Sequence, residues 1–339
     1  LRGVMSGLST SLLEFTEKLL SAARGAGADA ADALASMGSA IEINVRSGVL
    51  EQAERSETMD LGLRVFVGQR QAVVSGSDLR DGTLTTMAER AVAMAKEAPD
   101  DSYAGLAAPE QLAVDWNIEA LELYDTQPEP SAGALEADAL AAEAAALGVA
   151  GIEQVDAASA SYGSGQVHFQ TSAGFAGGYQ RSNRSISCVA IAGSGLQMER
   201  DYDFDNRIFQ EDLTDPAEIG ANAGARAVAR LKPSKPPTGQ FPVLFDERVA
   251  SSLIGHFLSA INGASVARGS SWLLEGLGQQ VFPDATQLIE DPHRPRVAGS
   301  RPFDGEGLPT QRRALVENGV LTGWTLDLAS ARHLSMPPT

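Results

Sequence analysis

The chain has 339 residues, 43% of them hydrophobic. That length and apolar fraction exclude wholesale disorder and suit about two domains. Lys and Arg number 26 against 44 Asp and Glu, a formal net charge of −18 that disfavours nucleic acid and anionic membrane surfaces as direct partners.

In chain order, residues 9–26 read as a helix. Leu12, Leu13, Phe15, Leu19, Leu20 and Ala23 share one stripe, with Ser9 or Ser11 as cap. The period then shortens to two. Ile41, Ile43 and Val45 alternate with polar residues, and Val49–Ser56, Met59–Val67 and Gln71–Ser75 are expected as the next strands of an antiparallel meander. Thr83–Glu97 returns to helix. Residues 99–132 carry four prolines and read as surface connection. Ser131–Leu147 is an Ala-rich helix. Strands are expected at Ile152–Tyr162, Gln166–Thr171, Gly174–Ser182, Ser185–Gly193 and Gly195–Asp203, punctuated by glycines. Helix-then-meander therefore occurs twice, without fixed-period sequence identity. Asp215-Pro216-Ala217-Glu218 opens a further helix, with Asp215 as cap and Glu218 reaching back to it.

The proline-stiffened segment 232–239 is the expected linker between an α+β N-terminal domain (1–231), a helix-plus-antiparallel-sheet unit, and a β-rich C-terminal domain (240–339). In the latter, Phe241–Phe245 reads as a short strand and Asp246 caps a helix to about Asn262. Short strands are expected at Gln279–Phe282 and Leu288–Glu290, and Asn318-Gly319 joins Arg312–Glu317 to Val320–Asp327 as a hairpin. No concluding element follows, so an end to this domain is expected beyond Thr339.

No run approaches ~18 uninterrupted apolar residues. The first seven residues lack the basic region and apolar core of a signal peptide. The single cysteine, Cys188, excludes an intramolecular disulfide, and a cytoplasmic location is expected. Four histidines, His168, His256, His293 and His333, have no metal-binding spacing among them. Ser252 and His256 lie four residues apart on one helix and are weak candidates for a nucleophile–base pair, which would need an orienting acid. Two small-residue loops carry functional weight. One is Asn262–Trp272, with Arg268 and Trp272. The other is Gly299–Gly307, with Arg301, Asp304 and Glu306.

The run Asp246-Glu-Arg-Val-Ala-Ser-Ser-Leu-Ile-Gly-His256, then Asn262-Gly-Ala-Ser-Val-Ala-Arg-Gly-Ser-Ser-Trp272, resembles the TldD/PmbA family, specifically its PmbA (TldE) branch. So do Ser300-Arg-Pro-Phe-Asp-Gly-Glu-Gly307, Leu315-Val-Glu-Asn-Gly-Val-Leu-Thr-Gly323 and Ser330-Ala-Arg332. Members are also named modulators of DNA gyrase. The resemblance implies a cytoplasmic peptidase of two related subunits, dimerised around an enclosed groove. The TldD-type subunit binds a catalytic metal through a His-Glu-x-x-x-His helix. Laid on that motif, Ser251 stands for the first His, Ser252 for the Glu, and Gly255-His256 match its last two positions.

The expected function is thus a PmbA/TldE-like subunit that completes the chamber and binds extended peptide for a zinc-bearing TldD-type partner, with no metal of its own. Arg268, Trp272, Arg301, Asp304 and Glu306 are the expected peptide or partner contacts, and a homodimer is the other assembly. The alternatives are an autonomous hydrolase using Ser252 and His256, or a non-enzymatic protein-binding modulator of gyrase or of a toxin–antitoxin system.

Overall fold

The computed structural model describes residues 2–339, with side chains from residue 12 onward. Helix α1 (Arg2–Ala26) leads into strands β1 (Ala30–Arg46), β2 (Val49–Val67) and β3 (Arg70–Gly76), closed by α2 (Asp81–Glu97). After an irregular connection the order repeats: α3 (Ala132–Leu147), β4 (Ile152–Thr171), β5 (Ala176–Ala192), β6 (Glu199–Arg207) and α4 (Pro216–Ala229). The six strands form one antiparallel sheet, ordered β3-β2-β1-β4-β5-β6. The two halves meet where β1 pairs with β4, from Asp32 opposite Thr171 to Val45 opposite Ala158. The doubled helix-and-meander is real at the level of architecture.

Strand alternation puts all four helices on one face. Ala31, Ala33 and Ala35 of β1 pack with Leu61, Leu63 and Val65 of β2 beneath α1 and α2. Ile41, Ile43 and Val45, on the same face of β1, join Ala158, Ala160, Ile186 and Cys188 beneath α3 and α4. The other face carries small and polar side chains, among them Ser56, Thr58, Gly163, Gly165 and Asn183.

Several sequence expectations need correction. Val49–Ser56 and Met59–Val67 are one strand, because Glu57 and Thr58 pair with Ser39 and Gly38 without interruption. Ile152–Tyr162 and Gln166–Thr171 likewise fuse into β4, and Gly174–Ser182 and Ser185–Gly193 into β5. Of the glycines read as punctuation, Gly174 does turn the chain between β4 and β5, but Gly163, Gly165, Gly177 and Gly178 lie inside these strands, where neighbouring backbones come close: a Cβ on Gly178 would approach the Val167 carbonyl to 2.5 Å. β6 begins only at Glu199, after a 3-10 turn at Gly195–Gln197. Ser9 and Ser11 lie inside α1, and their side chains are outside the described residues. Asp215 caps α4 by accepting from the Ala217 N–H, with no return bond from Glu218 among the described residues.

In the C-terminal part, α5 (Glu247–Ala260), α6 (Gly263–Ala267) and α7 (Leu328–Leu334) surround a three-stranded sheet of β7 (Leu288–Glu290), β8 (Arg313–Glu317) and β9 (Val320–Leu321). Phe257, Ile261, Val316, Leu321, Trp324 and Leu326 form its core. Phe241–Phe245 is not a strand. Pro242 removes a donor from the segment, Leu244 is 97% exposed, and no ladder partner lies beside it among the described residues. Gln279–Phe282 contributes a single bridge, Gln280 to Val320. The Asn318-Gly319 turn stands as expected, with φ of 50° and 79°, the left-handed pair that a two-residue hairpin requires.

Candidate functional site

The loop 299–307 roofs one end of the sheet's open face. Phe303 inserts its ring among Trp116, Phe175 and Tyr179, with centroids at 5.1, 4.8 and 5.7 Å. Arg181 of β5 donates to the carbonyls of Ala298 and Ser300, and its guanidinium lies over the Tyr179 ring at 5.1 Å. Buried aromatic packing and charge-assisted bonds thus fix the loop over the strands.

Beneath the loop lies a cleft of about 490 Å³, lined by Asp32, Arg64, Phe169, Tyr179, Phe303 and Glu306, with Arg301 at its edge. Arg64 donates to one oxygen of Asp32 through Nε at 2.8 Å and Nη2 at 2.6 Å. Burial nonetheless pushes the Asp32 carboxyl up, outweighing the opposing effect of Arg64. Glu306 is also raised, first by burial and further by the charges of Asp304 and Asp327, against the Leu328 N–H that it accepts at 2.8 Å. A second hollow of about 440 Å³ continues along the open face between Gly38, Thr58, Gly165 and Asn183. The arrangement presents an apolar floor, a guanidinium at the rim and a long polar trough. That shape and chemistry suit an extended chain better than a compact ligand.

The residues singled out in the sequence divide into two groups. Asp304 holds the loop itself: its Oδ1 accepts from the N–H groups of Glu306 at 2.9 Å and Leu308 at 2.8 Å. Glu306 satisfies the first turn of α7. Arg268, Trp272 and Arg301 are exposed, Trp272 to 71%, and neither arginine forms an ion pair among the described residues. The structure brings Arg301, Asp304 and Glu306 to one cleft and leaves Arg268 and Trp272 beyond α6, outside that lining. Ser252 and His256 are both exposed on α5. The Ser252 hydroxyl donates to the Val249 carbonyl at 2.6 Å, back into its own helix, and no Ser252–His256 bond is made among the described residues. Asp32 and Arg64 carried no signal in the sequence, because their pairing depends on the β1–β2 register.

The other motif residues are structural. Asn262 caps α6 by accepting from Ala264 and Ser265. Arg332 of α7 donates to the carbonyls of Tyr103, Gly105 and Leu106, while His333 stacks on Tyr103 at 4.3 Å. These bonds tie the C-terminal part to the connection between α2 and α3.

Fold and cleft define a class: an α+β protein with helices on one face of a long antiparallel sheet and a glycine-rich loop roofing part of the other. Residues 31–95 match the PmbA/TldA metallopeptidase domain 1, residues 125–231 its central domain and residues 238–339 its C-terminal domain. The chain is 34% identical over 311 residues to the metalloprotease PmbA of Escherichia coli O157:H7, covering 92% of this chain and 69% of that protein. It is 36% identical over 341 residues to the PmbA homolog of Haemophilus influenzae, covering 98% and 74% respectively. A Bacteroides thetaiotaomicron crystal structure, described as that of a candidate modulator of DNA gyrase, superposes with a TM-score of 0.89 at 25% identity, over 96% of this chain and 74% of that one. TldE of Thermococcus kodakarensis shares the fold, with a TM-score of 0.76 at 19% identity over 95% and 72%. The chain belongs to the PmbA/TldD metallopeptidase family.

The family's description implies a metal, and the residues of α5 do not fit one. That helix carries Ser251, Ser252 and His256, a single imidazole where zinc takes about three protein ligands. Among the described residues no three His, Cys, Asp or Glu side chains gather as a metal would require. Likewise among the described residues, no helix is long and apolar enough to cross a membrane.

Proposed function

We propose that this metalloprotease-like chain is the peptide-binding, PmbA/TldE-type subunit of a two-subunit peptidase. The observation that carries this reading is the contrast between its two regions. The cleft under loop 299–307 is built, with Phe303 locked and Arg301 without an ion pair among the described residues, whereas α5 carries one histidine and two serines, the residues that the family resemblance sets against the metal ligands of the other branch. Substrate binding and metal chemistry are then divided between chains. Peptide lies along the open face, its side chains against Phe169, Tyr179 and Phe303 and its carboxylates toward Arg301. The zinc and the general base belong to a TldD-type partner, in the cytoplasm. Arg268 and Trp272, exposed and clear of the cleft, serve the partner contact.

The test is to mix the purified chain with a TldD-type relative and an unfolded peptide. Cleavage faster than by the relative alone supports the division of labour, and cleavage no faster removes it. The autonomous Ser252/His256 reading predicts hydrolysis by the isolated chain, abolished by Ser252→Ala. The orientation of the Ser252 hydroxyl into its own helix weighs against it. A modulator acting without catalysis would bind its target protein equally well with the cleft blocked.

A further inference from the structure

Among the described residues, the helix-bearing face of the sheet is not fully covered. Between the core under α1 and α2 and the core under α3 and α4, β4 and β5 present Gln166, His168 and Gln180 side by side. Gln166 is paired with Gln180, and His168 with Gly178. These side chains share the face of the buried Ala158, Ala160, Ile186 and Cys188, opposite to the peptide cleft. They floor a cavity of about 540 Å³ walled by Leu12 of α1, Tyr124 and Phe209. Gly178 keeps that floor low, since a Cβ there would meet the Val167 carbonyl at 2.5 Å and the edge of the His168 ring at 3.2 Å.

The polar groups of the floor are arranged for a ligand. His168 is 8% exposed, and its Nδ1 lies 2.9 Å from the Thr16 hydroxyl. That hydroxyl has one proton, claimed by the Leu13 carbonyl at 2.8 Å and Gln170 Oε1 at 3.0 Å. With that proton directed to either acceptor, the tautomer with hydrogen on Nδ1 donates to the hydroxyl oxygen, which leaves Nε2 as a bare acceptor. Among the described residues, His168 Nε2 and the side-chain amides of Gln166 and Gln180 make no hydrogen bond, and no unpartnered side-chain atom is sealed from solvent. They open into the cavity. Glu119 and Glu122 stand at its margin, and no cation is among the described residues that line it, so these residues offer an anion no charged partner. Burial disfavours the charged imidazole, and the other polar groups of the floor are neutral amides, which suits an uncharged ligand.

We propose that this cavity binds an uncharged aromatic amide, its ring against Leu12, Tyr124 and Phe209, an N–H donated to His168 Nε2, and its amide paired with Gln166 and Gln180. An apolar hollow with a few convergent polar groups is the usual form of a small-molecule site. The inference is independent of the peptide-binding proposal, which concerns the opposite face.

N-acetyl-tryptophanamide is a suitable probe, read by saturation-transfer NMR and calorimetry on the full chain. Binding is expected, weakened about tenfold in His168→Leu. Because His168 also holds Thr16, the double variant Gln166→Leu/Gln180→Leu, which breaks no hydrogen bond among the described residues, is the second arm. Weakening in either variant supports the site. No binding by the unmodified chain, or binding unchanged or tightened in both variants, overturns it.

Discussion

Arg184 is buried on the helix-bearing side of β5, where its guanidinium reaches Asp138 of α3 at 2.7 Å, the Ser161 carbonyl at 2.9 Å and the side chain of Gln210. Truncating one member of a buried charged pair strands the other. Arg184→Met should therefore cost about 3 kcal/mol in urea unfolding, and a loss near zero would show that Asp138 finds solvent without it. Asp32 and Glu306 give a pH dependence of definite sign. Both carboxyls are raised in the folded protein, so the folded state holds protons that the unfolded chain releases, and stability falls as pH rises through those values. Glu306→Gln keeps an acceptor for the Leu328 N–H and removes the charge. It should flatten this decline as pH rises above the ordinary glutamate range, checked by unfolding at several pH values from that range upward; an unchanged slope would exclude Glu306 as its source. Cys188, fully buried, has its thiol pushed up to about 12 by burial and the nearby charges of Glu143 and Asp203. Alkylation should be negligible in the native protein and complete on unfolding.

Helices α3 and α4 approach so closely that a Cβ on Gly220 would fall 1.9 Å from the Ala142 carbonyl. Gly220→Ala should destabilise by about 2 kcal/mol or more, read as a lowered unfolding midpoint, even though alanine is the better helix former. This packing also explains which elements the sequence made legible. Helices α1 to α5 announced themselves by stripes and caps, and the β8–β9 turn by Asn318-Gly319, whereas the short α6 (Gly263–Ala267), read as a loop, and α7 (Leu328–Leu334), where no further element was expected, did not. The first half of β1 did not, because Ala30–Ala40 has little β-propensity; those residues are strand only because α1 and α2 cover Ala31, Ala33 and Ala35. The glycines of β4 and β5 misled for a related reason: they serve backbone approach across a long sheet, which one strand alone does not reveal. In the cleft, Arg301, Asp304 and Glu306 stood out as charges in a glycine-rich loop. Asp32 and Arg64 did not, being 32 positions apart until register joins them.

At the scale of the molecule, two α-β-β-β-α halves make one sheet with one covered face and one open face, and the C-terminal part roofs an end of the open one. The −18 charge favours protein and peptide partners over DNA, so a family named for gyrase need not touch the nucleic acid. The central claim is that binding sits on this chain and metal chemistry on another. The most direct measurement is the rate at which a TldD-type partner cleaves an unfolded peptide with and without this chain, beside this chain alone. The division of labour predicts acceleration in the mixture and no cleavage by this chain alone. Equal rates with and without it, or turnover by this chain in isolation, would contradict the account.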